Sequence, residues 1–424
     1  MFKHILFAVF AILLLATCKK EGDDIAPSIQ VISPTDAVFM SLPDTLNVIA
    51  IIKDNVEVRS VKVSLVDDEN VSVGPSFTNT FSSAEVNFNV AFIIEDLSLE
   101  TGSYFLQITA SDGENESKSF VPLSLVEVPK EMLGTFYSYQ NGNLSALRYD
   151  LLNGDGGTLN LIESNAKHDV QHIRSRVFVS QYENRFLSAY EYGSSWSLLW
   201  ESDLSMSSPG GMIESVEFDK HRDEVVVNTG ADGIFLYRYN GTLNGMIPME
   251  STEICRGLII FDTEIWMGVS SLGGQNSLIQ VYRDSGVRGT ILPLNFTPGI
   301  MKDYSSTRVA MAIPNGDVAI KNIQTGEITP VDIPDDNPII AMEVYNGEIF
   351  VLKTGQLFRV TAGFQVQGLF NGTDLRDFKI DRVQGRMMLV IGNTLRTFNI
   401  FPWISINEVG LNPEAMEISI LYNK

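Results

Sequence analysis

The chain has 424 residues, 44% of them hydrophobic, with 30 Lys and Arg against 52 Asp and Glu and a formal net charge of −22. That length exceeds one ordinary domain and supplies apolar material for sizeable cores. The acidic balance excludes nucleic acid, whose phosphates need Lys and Arg, and excludes lying flat on an anionic membrane, but suits a soluble, mutually repelling surface protein.

The chain begins with a short basic start at Lys3 and an uninterrupted apolar run over residues 5–15. A bilayer span needs about 20 apolar residues, so this run fits the h-region of a secretory signal instead. It ends in Leu15-Ala16-Thr17-Cys18, which resembles the lipobox of bacterial lipoproteins. The resemblance implies that residues 1–17 are a signal peptide and that Cys18 becomes a lipidated N-terminus, held in the membrane by its acyl chains. An ordinary signal peptide with a chance cysteine is the weaker alternative. Losing Lys3 takes the formal charge from −22 to −23. Residues 18–27 read as a flexible acidic tether. Its stretch Lys19-Lys20-Glu21-Gly22-Asp23-Asp24 resembles the export tag of Bacteroidota lipoproteins, which implies an outer-membrane anchor facing the cell exterior.

Residues 28–128 carry short alternating runs separated by turn residues, among them 46–51, 58–65, 84–90 and 104–110. About seven such strands in about 100 residues predict a β-sandwich. The phrases Asp54-Asn55-Val56-Glu-Val58-Arg-Ser-Val61-Lys-Val63 and Gly102-Ser-Tyr104 through Ala110-Ser-Asp112-Gly113 resemble bacterial immunoglobulin-like modules. Such modules act as spacers or adhesive stalks. Asp54, Asp67, Asp68 and Asp112 have the oxygen donors that calcium takes, but turn formation is the preferred reading of each, and no cofactor is expected.

After a linker, Val128-Pro129-Lys130-Glu131, residues 132–424 repeat one design: an apolar strand closing on a bulky residue, a polar turn, a very apolar strand, then an alternating strand. The closing residues are Ile173, Phe218, Phe261, Tyr304, Tyr345 and Ile380, spaced 35 to 45 residues apart. Four strands in about 41 residues predict a β-propeller blade. A last strand at 416–422, set against three early strands between 133 and 162, supplies a seventh blade and closes the ring without an open edge. The expectation is therefore all-β: an immunoglobulin-like sandwich followed by a seven-bladed β-propeller closed by the C-terminal strand. The repeat resembles propellers in general; the Trp-Asp blade end and the kelch double glycine are absent.

Little chemistry is written locally. Only His168, His172 and His221 survive removal of the signal. His168 and His172 lie four apart, but a metal would need a third ligand from another blade and the helical His-Glu-x-x-His arrangement is absent, so surface or packed histidines are the preferred reading. Cys255 has no partner for a disulfide once Cys18 is lipidated, and its apolar setting reads as a buried inert thiol. Trp196 and Trp200 suit outer-strand packing better than sugar stacking. A propeller's ligand face is built from the loops joining second to third strands and one blade to the next. Here those loops offer Arg185, Asp232, Asn276 and Asp317, and between blades His168, Asp169, Asp303, Arg376 and Asp377. No catalytic set assembles, and the expected role is a non-catalytic binding or adhesion protein for an extracellular glycan or protein. The alternatives are a propeller enzyme acting on polysaccharide or lactone, and a periplasm-facing scaffold of outer-membrane assembly.

Overall fold

The structure, a computed structural model, describes residues 23–423 apart from 69, 98, 142–143, 153–155, 161–165, 172–173, 182–185, 194, 205–212, 220–221 and 413. Cys18, His172, Arg185 and His221 lie outside the described residues. The chain divides into two compact units, Met1–Pro129 and Lys130–Lys424. Every regular element among the described residues is a β-strand.

The first unit joins Ser28–Ser33, Val38–Ser41, Asp44–Val66, Ser72–Ile94, Gly102–Ser111 and Glu116–Val126 into one hydrogen-bonded network of six strands. Sequence reading separated strands at 46–51 and 58–65; the structure runs them together as Asp44–Val66. Continuity holds because that strand exchanges partners along its length. Its first half pairs with Ser28–Ser33 and its second half with Gly102–Ser111, while Ser72–Ile94 accompanies both halves. The exchange falls at a register break between Lys53 and Val58. There Asp54 Oδ1 accepts from the amides of Val56 and Glu57 at 2.8 and 2.9 Å, which satisfies backbone donors the bulge removes from the ladder. Val48, Ile52, Val63, Leu106 and Ile108 are all 0% exposed and belong to one core. Each such side chain contributes about 1.5–3 kcal/mol by leaving water.

The second unit contains, among the described residues, seven four-stranded antiparallel sheets. Sheets I to VI follow chain order, with first strands Lys167–Gln171, Ser215–Asp219, Glu253–Ile260, Met301–Ser305, Ile339–Tyr345 and Leu375–Asp381. In sheet VII the last strand of the chain, Ala415–Tyr422, comes first and pairs with Met132–Asn141, followed by Leu144–Leu151 and Gly156–Asn160. The first strand of sheet VII packs beside the first strands of both VI and I, so the end of the chain closes a circuit. The unit is all-β, and its repeated four-stranded sheets resemble a β-propeller.

The apolar second strands explain the stacking. Val225, Val226 and Val227 in sheet II, and Ile349 through Leu352 in sheet V, are each 0% exposed. A strand buried on both faces needs a neighbouring sheet on either side, and clusters shared between consecutive sheets supply it, as with Phe178 and Val225 of sheets I and II. Fourth strands lie outermost, and Ile404–Gly410 is exposed throughout. Arg283, with a fully buried side chain, clamps sheets II and III from within: Nη2 donates to Glu224 Oε2 at 2.6 Å and Nη1 to Asp219.

Candidate functional site

A ring of first strands places one or two side chains of each sheet around its axis, and here many of those are charged. Lys302 of sheet IV donates to Glu343 Oε1 of sheet V at 3.1 Å, and Lys379 of sheet VI donates to the same oxygen at 3.3 Å. Lys167 of sheet I donates to Glu417 of sheet VII at 3.1 Å. Asp169 of sheet I accepts from the backbone amide of Phe218 in sheet II at 2.7 Å, and Asp377 of sheet VI from that of Ile418 in sheet VII at 2.9 Å. Arg256 of sheet III stands 3.7 Å from Glu214, next to the first strand of sheet II. At each of these junctions a charged side chain on one first strand holds the next.

The same crowding perturbs the acids. Burial would raise Glu343, but Lys302, Lys379 and Arg382 outweigh it and hold the carboxyl at about 2. Burial works against Lys379 too, and Glu343, Asp377 and Glu417 nonetheless raise it above the ordinary lysine range. Glu217 has no such cation in contact, and burial pushes it to about 7 although Lys302 and Lys379 pull the other way. Burial pushes Asp377 to about 6 and also raises Asp169, against the amides that each accepts from. His168 is lowered by burial, and Glu417 at 3.8 Å only partly offsets this. The Lys379 and Glu417 side chains keep 36% and 41% exposure, so water screens the charges at this end of the ring.

Of the residues singled out from sequence, the structure gathers His168, Asp169 and Asp377 onto the ring. Arg376 lies beside them but is engaged by Asp374 at 2.9 Å and Glu414 at 2.6 Å. Asp303 is exposed on the first strand of sheet IV. Asp232 and Asn276 sit where the second strand turns into the third in sheets II and III. Asp317 occupies that turn in sheet IV and is spent on structure, accepting from Asn315 Nδ2 at 2.5 Å and from the Ile333 amide at 2.8 Å. These turns share the end of the sheets at which the first strands begin, but no hydrogen bond among the described residues joins them to the inner charges. Sequence reading missed Lys167, Glu217, Glu343, Lys379 and Glu417. The signal was a lone charge inside an otherwise apolar closing strand, as in Val216-Glu217-Phe218 and Phe378-Lys379-Ile380.

Other expectations resolve as packing. Trp200 lies between Phe178 and Tyr237 and donates Nε1 to the Tyr239 carbonyl at 2.9 Å. Trp196 packs on Phe136 and Tyr149. Cys255 is 0% exposed, and burial pushes its thiol up to about 12. Elsewhere, Asp335 accepts from the Asn337 amide at 2.8 Å, and the carbonyls of Ile333, Pro334 and Asp335 all accept from the buried Lys353 ammonium.

No protein-family model matches the sequence, and no curated protein matches it. Among solved structures, a functionally unknown protein from Desulfotomaculum acetoxidans is similar with TM-score 0.51 at 13% identity, over 68% of this chain and 98% of that one. The Neurospora crassa Pan2 WD40 domain gives 0.46 at 13% identity, over 56% and 76% of the two chains. The WD40 β-propeller domain of Doa1 gives 0.48 at 10% identity, over 69% and 90%. At these identities the likeness is one of fold, and the sheet topology above carries the propeller resemblance.

Proposed function

We propose that this chain is a lipid-anchored surface protein that binds an extracellular glycan or protein without catalysis, through the rim of the ring in its second unit. On this reading the seven sheets are the blades of a seven-bladed propeller closed by the C-terminal strand. The first unit is an immunoglobulin-like sandwich in which Asp44–Val66 crosses from one layer to the other at its register break. Cys18 carries the lipid, and the acidic tag after it directs the protein to the outside of the outer membrane of a Bacteroidota-type cell.

The observation that carries the binding reading is the circle of first-strand charges. Lys302, Glu343 and Lys379 neutralise one another, which builds a rigid polar rim and leaves no free nucleophile among the three. The test is a glycan and protein array probed with the chain lacking residues 1–18. The reading predicts discrete hits that Lys379→Ala and Arg256→Ala weaken; arrays blank for both ligand classes contradict it. One observation favours a propeller enzyme acting on polysaccharide or lactone as a second reading: Glu217 at about 7 and Asp377 at about 6 are carboxyls poised for proton transfer near neutral pH. Turnover of a polysaccharide or lactone panel that Glu217→Gln abolishes would favour it over simple binding.

A further inference from the structure

Three carboxylates from distant parts of the first unit converge. Asp23, Asp54 and Asp112 each place an oxygen within 4.8 Å of the other two. Asp23 belongs to the tether, Asp54 to the register break in Asp44–Val66, and Asp112 to the turn that follows Gly102–Ser111. Each spends one oxygen on local donors. Asp54 Oδ1 takes the Val56 and Glu57 amides, Asp112 Oδ1 takes those of Glu114 and Asn115, and Asp23 Oδ1 takes the Ile25 amide and Asn55 Nδ2. The opposite oxygens differ. Asp112 Oδ2 accepts from Asn115 Nδ2 at 3.0 Å, whereas Asp23 Oδ2 and Asp54 Oδ2 are closed off from solvent and accept from no donor.

Two buried anionic oxygens without donors, beside a third carboxylate, are costly unless a positive charge sits among them. Neighbouring side chains do not supply it among the open oxygens: Arg59, held by Glu57 at 2.8 Å, lowers Asp112 but hydrogen-bonds to none of the three carboxylates, and Lys53 is engaged by Glu85 at 3.2 Å. All the donors are hard oxygens, with no imidazole or thiolate, which disfavours zinc and other transition metals. Ligands drawn from three loops of irregular geometry suit calcium, which tolerates six to eight oxygens at roughly 2.3–2.6 Å, better than magnesium with its strict octahedron. We propose that Asp23, Asp54 and Asp112 form a calcium site that pins the tether to the first unit. The cation would stiffen the segment between the lipid and the fold, a role independent of what the second unit binds.

The test is calorimetric titration of the full chain, purified in detergent and stripped with EGTA, with calcium chloride, alongside thermal melting. The expected result is one calcium per chain with a dissociation constant on the order of 10⁻⁴–10⁻³ M, the range of extracellular modules, and a rise in melting temperature at 10 mM calcium. Asp54→Asn should weaken binding at least tenfold. Asp23→Asn, which lies outside the strands and so leaves the fold in place, should do the same, while Asp68→Asn changes nothing. Absence of both heat and melting shift up to 10 mM calcium overturns the proposal. So does magnesium binding as tightly as calcium, or unchanged calcium affinity in Asp23→Asn.

Discussion

Lys379 and Glu343, on the first strands of adjacent sheets, meet at 3.3 Å, and Lys302 reaches the same carboxylate oxygen from the opposite side at 3.1 Å. One acid therefore holds three consecutive sheets. Glu343 itself is 9% exposed, while the two lysines keep about a third of their side-chain surface. Glu343→Gln would leave Lys302 and Lys379 facing each other without the carboxylate they share, with Asp377 and Glu417 still acting on Lys379. A fully dry pair costs about 3–5 kcal/mol to break; with the lysines screened by water, a loss of about 2 kcal/mol is expected. Urea unfolding of variant and parent measures it.

The ring also sets a pH dependence whose two limbs have opposite signs. Glu343, lowered from 4.5 to about 2, contributes stability that is in place above pH 4.5 and lost as pH falls toward 2. Glu217, raised by burial from 4.5 to about 7, and Asp377, raised from 3.8 to about 6, hold protons more tightly in the folded state. Their contribution is present at low pH and lost as pH rises through 6 to 7. His168, lowered from 6.5 by burial, acts in the other direction and costs stability as pH falls below about 6.5. Melting curves from pH 2 to 8 should show Glu217→Gln removing part of the decline between pH 4.5 and 7, and Glu343→Gln flattening the acid limb. Parallel curves for all three proteins would refute the assignment.

Arg283 offers a harder case, since its side chain is 0% exposed and its two acids, Asp219 and Glu224, are 5% and 6% exposed. Arg283→Met keeps the volume but removes the cation that the buried Asp219 and Glu224 share. The expected cost is about 3–5 kcal/mol, read from the shift in denaturant midpoint. Combining it with Glu224→Gln should recover part of that loss, because one buried negative charge is removed with it.

The closing strand is the other point of leverage. Leu421 is 0% exposed and packs with Phe136 and Leu147, which lie more than 270 residues earlier in the chain. Outside the strand ladder, Glu131 and Asn423 exchange hydrogen bonds at 2.9 and 3.0 Å. Leu421→Ala should cost about 2–5 kcal/mol and lower the melting transition of the second unit. The same substitution at exposed Met416 should leave it unchanged.

What the sequence disclosed follows from how local each signal is. Second strands such as Val225-Val-Val227 and Ile349-Phe-Val351 announce themselves, because burial on both faces demands an unbroken apolar run. The closing residues Phe218, Tyr304 and Tyr345 end first strands as expected from their spacing. The continuous strand Asp44–Val66 was hidden, because Asp54 reads as a turn and the bulge it stabilises is set by pairing with distant strands. The charged ring was hidden for a related reason. Lys302, Glu343 and Lys379 lie about 40 residues apart, and only the stacking of consecutive sheets makes them neighbours. Asp23 looked like one more polar residue of a spacer until the fold brought Asp54 and Asp112 to it.

The central claim, a lipid-held binding protein that faces outward, is tested most directly by protease shaving of intact cells, with Cys18→Ser as the control. The account predicts that proteinase K releases second-unit fragments from intact cells carrying the parent protein, and that Cys18→Ser protein is no longer retained in the membrane fraction. Complete protection in intact cells, with digestion only after the outer membrane is permeabilised, would contradict the outward-facing assignment and favour the periplasmic scaffold.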